Sequence, residues 1–170
     1  MNEAEQRQAQ RPTEGRVREW LAAVPDPEIP VLNVLDLGVV RGIRVHDAGV
    51  EVEVSPTYVG CPATEYIERC IRIELERHDV GQVTVKRVLS PPWTTDWLTE
   101  EGRRKLASVG IAPPAGAAGK HSLARPDFPA SCPRCAATET RRISEFGSTP
   151  CKATYKCEVC LEPFEYFKCL

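Results

Sequence analysis

The chain has 170 residues, of which 42% are hydrophobic and 27% are charged, and its formal net charge is −2 at pH 7. This length allows one ordinary domain and a small second one, and the near-neutral charge gives no general attraction to nucleic acid or to an anionic membrane surface. The first sixteen residues are polar, and no run of eighteen apolar residues occurs in the sequence. The composition therefore predicts a soluble, cytoplasmic protein with no membrane contact.

The N-terminal segment begins with a polar, Gln-rich stretch, so residues 1–15 are predicted to be a disordered arm. Apolar residues then recur at helical spacing, at Val17, Trp20, Leu21 and Val24. Pro25 should close this helix, and the two prolines within 26–30 favour an extended segment. That segment carries Asp26 and Glu28, a pair of carboxylates that can belong to a functional site or simply cap a turn.

Strands and one helix fill the next part of the chain. Two β-branched strands are predicted at 39–45 and 50–54, and a third at 82–88. Between them, Pro62 suits the first turn of a helix. Its expected apolar face consists of Ile67, Cys70, Ile71 and Leu75. The α-β-β-α-β order predicts an α+β class, with a small sandwich domain over residues 16–112.

The C-terminal part contains most of the cysteines. Residues 113–129 are rich in Pro, Ala and Gly and are predicted to be a linker. In residues 130–170, two C-x-x-C pairs occur: Cys132 with Cys135, and Cys157 with Cys160. Two such pairs predict a tetrathiolate site for one structural zinc ion, in a small zinc ribbon. Iron in a rubredoxin-like site and two separate redox pairs are the alternatives.

Cys61 is the most suggestive single residue outside that tail. It lies just before Pro62, at the expected start of a helix, where unpaired backbone N–H groups and the helix dipole stabilise a thiolate. A thiolate is the form of cysteine that attacks electrophiles and binds metals. The alternative is that Cys61 only caps or packs.

Other residues admit both structural and functional interpretations. Trp93 and Trp97 are either packing residues or, if exposed, a docking surface for another protein. Cys151 and Cys169 lie outside the C-x-x-C pairs and are expected to be buried or accessory thiols. The sequence shows no catalytic constellation and no phosphate-binding glycine motif, and the charges in the tail do not favour nucleic-acid binding.

Several motifs resemble those of known families. Three of them are 26–30 (DPEIP), 36–40 (DLGVV) and 57–64 (TYVGCPAT). Together they resemble the iron–sulfur cluster assembly domain family. Three more are 90–97 (SPPWTTDW), 146–152 (FGSTPCK) and 162–164 (EPF). With these, the chain is similar to the PaaD family, the accessory subunits of the phenylacetyl-CoA epoxidase (ring-hydroxylating monooxygenase) system of aerobic phenylacetate degradation.

The resemblance implies an accessory role rather than catalysis, in the maturation or assembly of a multisubunit enzyme. Cys61 corresponds to the cysteine that the family ties to cluster handling, and Asp26, Glu28 and Thr64 lie in the motifs around it. A transient iron–sulfur cluster or iron is then a cofactor besides zinc. A single thiol cannot enclose a cluster, which usually takes four, so a homodimer or a client is implied, with the iron–sulfur reductase of the system as the expected partner. A purely structural adaptor and a thiol oxidoreductase are the competing functions.

Overall fold

The computed structural model describes residues 11–114 and 130–168. The chain divides into two compact units, Met1–Pro91 and Pro92–Leu170. Most of the predicted arm and linker, together with Cys169, lies outside the described residues. None of the described helices is long and apolar enough to cross a membrane.

The first unit has the predicted order of elements. They are α1 (Glu14–Leu21), β1 (Val40–His46), β2 (Gly49–Val54), α2 (Ala63–Glu76) and β3 (Gln82–Arg87). Helix α1 begins where Thr13 caps it, its hydroxyl accepting a hydrogen bond from the amide of Arg16 at 3.1 Å. The helix ends at Leu21, before Pro25, because the following amides form tighter i to i+3 bonds.

A three-stranded sheet in the order β1-β2-β3 forms the centre of this unit. β1 and β2 are an antiparallel hairpin, while β3 runs parallel to β2, so the connection between them must cross over through α2. Strand β2 alternates between buried valines (Val50, Val52 and Val54) and partly exposed glutamates (Glu51 and Glu53). The valines join Val17, Leu21, Ile67, Ile71 and Leu75 of the two helices among the buried residues. The predicted α+β fold class is therefore confirmed.

The second unit is built on a four-stranded sheet. Its elements are a 3₁₀ turn (Thr95–Trp97), α3 (Glu100–Ser108), β4 (Ile111–Ala112), β5 (Thr140–Ser144), β6 (Lys152–Cys157) and β7 (Pro163–Phe167). The strand order is β4-β7-β6-β5, with β4 parallel to β7 and the other pairs antiparallel. The last three strands lie within residues 130–170, the predicted ribbon.

The division between the units differs from the predicted boundary, which placed residues 92–112 in the first domain. In the structure these residues group with the ribbon, because β4 adds to the ribbon sheet and Trp93 packs edge-to-face on Phe167 with ring centroids 6.2 Å apart. Trp93 is only 5% exposed. Of the two interpretations of Trp93, this burial favours packing within the second unit over docking.

Candidate metal centre and the Cys61 loop

The four paired cysteines converge on one point. The Sγ atoms of Cys132, Cys135, Cys157 and Cys160 all lie within 4.8 Å of one another. The two short contacts run between the pairs, at 3.7 Å from Cys132 to Cys160 and 3.6 Å from Cys135 to Cys157. A Zn–S bond of about 2.3 Å in a tetrahedron separates two sulfurs by about 3.8 Å. The arrangement is therefore that of four ligands around one ion.

Two tight turns with the same backbone hold the ligands. In the first, the amide of Cys132 donates to the carbonyl of Ala137 at 2.8 Å; in the second, the amide of Cys157 donates to that of Glu162 at 3.0 Å. The residue after the second cysteine is left-handed in both turns, with φ of 61° at Ala136 and 64° at Leu161. This repeat lets each C-x-x-C pair present two sulfurs on one side.

Backbone amides prepare the second turn for a metal. The amide of Cys160 donates to Sγ of Cys157 at 3.4 Å. This bond, with the Val159 amide and the neighbouring thiols, outweighs the effect of burial and lowers the pKa of the Cys157 thiol to about 7. At Cys160 the amide of Glu162 lowers the pKa, but burial and the neighbouring thiols outweigh it and raise the pKa to about 12. Without a cation the four sulfurs thus cannot all be ionised near neutral pH, and a divalent ion would balance that charge.

The surroundings fit a closed, structural site. Cys132 and Cys157 are buried, Cys160 is half-buried and Cys135 is exposed. The buried pair belongs to a small hydrophobic cluster that includes Tyr155, Phe164 and Tyr166. All four positions of the tetrahedron are taken by protein sulfur, so no position is open to a substrate.

Cys61 lies in the loop that connects β2 to α2. At one end of the sheet, the amide of Ser55 donates to the carbonyl of Val39 at 2.8 Å, and the loop leaves from there. Cys61 is half-buried, its amide donates to the carbonyl of Tyr58, and α2 begins two residues later. Pro62 at the N-cap provides no side-chain hydrogen bond, so Cys61 directly precedes a helix whose first amides are not capped by the Pro62 side chain.

The neighbouring motif residues have structural contacts of their own. Thr64 is buried, and its amide donates to the carbonyl of Cys61 at 3.2 Å. Asp26 is buried, and its Oδ1 accepts from the amides of Glu28 and Ile29 at 2.9 and 2.7 Å. Asp26 therefore closes the turn of its own loop, as the capping interpretation predicts, and Glu28 is half-buried in that turn.

Asn33 and Asp36 form a turn that the sequence analysis did not predict as part of the site. Oδ1 of Asn33 accepts from the amides of Leu35 and Asp36, and Oδ2 of the buried Asp36 accepts from the amide of Asn33 at 3.0 Å. The signal in the sequence is the N-x-x-D spacing before Gly38, which adopts a φ of 65°. This turn fixes the segment whose Val39 bonds to Ser55.

The remaining cysteines and tryptophan lie apart from the metal ligands. Cys70 is expected in the core but is half-buried, and it shares a hydrogen bond with the hydroxyl of the exposed Tyr66. Cys151 is buried as expected, 3.0 Å from Oγ1 of Thr149. Trp97 is half-buried. The structure thus brings together the four ribbon cysteines and joins Thr64 to Cys61.

Comparison with known proteins matches the two halves of the chain to two family models. Residues 14–85 match the model described as iron–sulfur cluster assembly protein, and residues 116–168 match the PaaD zinc beta ribbon domain. The first contains Cys61 and the second contains all four ribbon cysteines. Residues 86–115 lie between the matched segments.

Similar proteins span most of the chain or a little over half of it. One relative, from Escherichia coli and named as a subunit of 1,2-phenylacetyl-CoA epoxidase, is 48% identical over 88% of this chain and 89% of its own. A protein named Fe-S protein maturation auxiliary factor, from Porphyromonas gingivalis, is 35% identical over 55% of this chain and 90% of its own. A crystal structure of a domain of unknown function (DUF59) from Bacillus anthracis has a TM-score of 0.52 at 24% identity, covering 61% of this chain and 96% of its own. That structure supports the fold alone.

Proposed function

Since this chain belongs to the PaaD family of phenylacetyl-CoA epoxidase subunits, we propose that it is a non-catalytic accessory protein that matures or assembles the iron–sulfur or iron centre of that enzyme. Relatives of both halves support an accessory role in iron–sulfur assembly. The iron–sulfur reductase of the epoxidase is the proposed client. Cys61 is the residue proposed to hold iron or a cluster during transfer.

The observation that carries this proposal is the position of Cys61. Cys61 directly precedes Pro62, the N-cap of α2, which makes no side-chain capping bond, and Gly60 before it has open space where a Cβ would be. Val59 is 87% exposed, so the loop is accessible to another protein. One thiol supplies one coordination position, and the remaining ligands would come from the client or from a second copy of the chain.

The ribbon has a separate part in the proposal. We assign zinc to its four cysteines, because a closed tetrathiolate set suits a structural zinc ion. Such an ion contributes roughly 10–16 kcal/mol of apparent binding free energy to small metal-dependent folds. The short sulfur contacts run across the C-x-x-C pairs, which fits one shared ion better than two redox pairs.

The experiment is coexpression of the epoxidase subunits with wild-type chain, Cys61→Ser or Cys70→Ser. We expect phenylacetyl-CoA turnover by the purified epoxidase to fall several-fold with Cys61→Ser alone, while both variants keep their fold and their zinc. Cys70→Ser is the matched control, since it removes a half-buried thiol from the same unit. Equal turnover with all three chains would reject the maturation role and favour a structural adaptor.

A further inference from the structure

The two metal-binding turns have the same backbone but present different side chains. The first turn, residues 132–137, carries Arg134 and the small Ala136 at its tip; the second, residues 157–162, carries Val159 and Leu161 on either side of Cys160. Both Val159 and Leu161 are 61% exposed. The first turn of the metal site thus has no large apolar side chain at these two positions, whereas the second has two.

Folding does not account for Leu161. Its φ of 64° is in the left-handed region, which costs an L-residue roughly 1–2 kcal/mol and costs glycine nothing comparable. Its exposed side chain recovers little of that energy by burial. Ala136 shows that the same backbone position in the first turn can hold a small residue. A large apolar side chain held out at a strained position points to a role in binding.

The charges around this pair are negative. The second turn contains Glu158 and Glu162 and no basic residue. Glu158 is paired with Arg141 at 3.1 Å, so the excess comes from Glu162 and from the four thiolates, which with a divalent ion carry about −2. Lys156, which directly precedes the second turn, and Arg134 of the first turn offset part of this negative charge but not all of it. An apolar centre with an acidic rim complements a protein surface with an apolar centre and a basic rim.

We propose that Val159 and Leu161, rimmed by Glu162, form a docking surface for a basic, apolar-centred patch on a protein of the epoxidase system. This assignment rests on the proposed accessory function for the identity of the partner. It gives the ribbon a direct part in binding, separate from Cys61 in the other unit. The same surface has no basic side chain in its own turn with which to hold nucleic acid.

The test is the affinity of the full-length, zinc-loaded chain for each purified epoxidase subunit. Leu161→Gly relieves the left-handed strain, so the ribbon should keep its zinc and its thermal stability. Binding to the partner subunit should nevertheless weaken at least about tenfold with Leu161→Gly, and further with Val159→Ser added. Glu162→Lys should weaken it too, most strongly at low salt.

Matched controls separate docking from folding. Ala136→Gly makes the same backbone change in the first turn and should leave the affinity unchanged. Ile143→Ser removes another exposed apolar side chain, from strand β5, and should also have no effect. If the wild-type chain binds a subunit and the Leu161 and Val159 variants bind it equally well, the docking surface is wrong while the accessory function stands.

Two other outcomes would overturn the assignment for different reasons. If the wild-type chain binds none of the subunits, the proposed partnership fails, and this surface fails with it. If sedimentation shows that the chain is a dimer that Leu161→Gly dissociates, the surface covers a second copy and not a foreign protein.

Discussion

At the scale of single residues, Cys61 and Cys70 differ in what surrounds them. Cys61 lies in a loop beside the uncapped end of α2, with open space next to Gly60. Cys70 lies two turns into the helix and shares a hydrogen bond with Tyr66. The periodicity of the sequence predicts Cys70 in the core, because it adjoins Ile71 on the expected apolar face, yet Cys70 is only half-buried.

This contrast predicts selective alkylation. In the zinc-loaded protein, iodoacetamide should modify Cys61 first, because Cys61 lies in a loop beside the exposed Val59, whereas Cys70 lies within α2 and shares a hydrogen bond with Tyr66. Peptide mass mapping over time checks this, with Cys61→Ser as the control that should abolish the fast phase. Faster modification of Cys70 would show that the loop does not make Cys61 the more accessible thiol.

At the scale of elements, the sequence predicts the helices and strands whose burial pattern lies within a single element. Alternating valines mark β2 and apolar spacing marks α2, because those patterns follow from which side of one element is buried. The two-residue β4 could not be predicted, since it is a strand only through pairing with β7. The convergence of two C-x-x-C pairs was predictable because metal geometry ties distant residues together.

The approach of two strands depends on Gly49. A Cβ at this position would lie 2.0 Å from the carbonyl oxygen of Gln82, at the point where β2 and β3 begin to pair. Gly49→Ala should therefore destabilise the first unit by more than ~2 kcal/mol. Gly60→Ala is the control, since it also has a positive φ but meets no atom within 4 Å, and it should cost only about 1 kcal/mol. Thermal unfolding measures both, and equal losses would contradict the close approach.

In the ribbon, strand β6 begins with a buried lysine. Nζ of Lys152 lies 2.9 Å from Oε2 of Glu165, whose Oε1 accepts from the amide of Ser148 at 2.5 Å. Burial raises the pKa of Glu165, but the Ser148 amide and Lys152 together outweigh it and hold the pKa below the usual value. The stabilisation is therefore complete above the usual glutamate pKa of about 4.3 and is lost as the pH falls below it.

Glu165→Gln should thus lower the stability of the ribbon at neutral pH, by about 1–3 kcal/mol, because it leaves the Lys152 ammonium buried without its counter-charge. The difference from wild type should shrink as the pH falls below about 4.3. Both proteins lose metal in acid, so the difference in their stability at each pH removes that shared effect. Glu139→Gln, at an exposed position, is the control. A difference that stays constant with pH would show that the carboxylate charge has no part in it.

At the scale of the whole molecule, the two units depend on different sources of stability. The first has a core of valines, leucines and isoleucines from two helices and a sheet. The second has a small cluster around Tyr155 and the metal ligands, and folds of that size usually need a metal. Residues 92–112 belong to the second unit, which the sequence could not show, because Trp93 meets Phe167 only in the folded chain.

Cys157→Ser should therefore lose the zinc and unfold residues 130–168 together with 92–112, leaving residues 14–87 folded. Hydrogen exchange followed by mass spectrometry checks this, with Cys151→Ser as the control that should keep the metal. Retained protection of residues 92–112 in the metal-free variant would restore the predicted boundary at residue 112.

Limited proteolysis should cut first within the predicted linker, 113–129.

The most direct test of the maturation role is the iron and sulfide content of the epoxidase reductase purified from cells that also make this chain. With Cys61→Ser, which should keep its fold and its zinc, we expect a reductase with markedly less iron and sulfide per protein than with wild type or with Cys70→Ser. A reductase with full iron and sulfide in the presence of Cys61→Ser would contradict it.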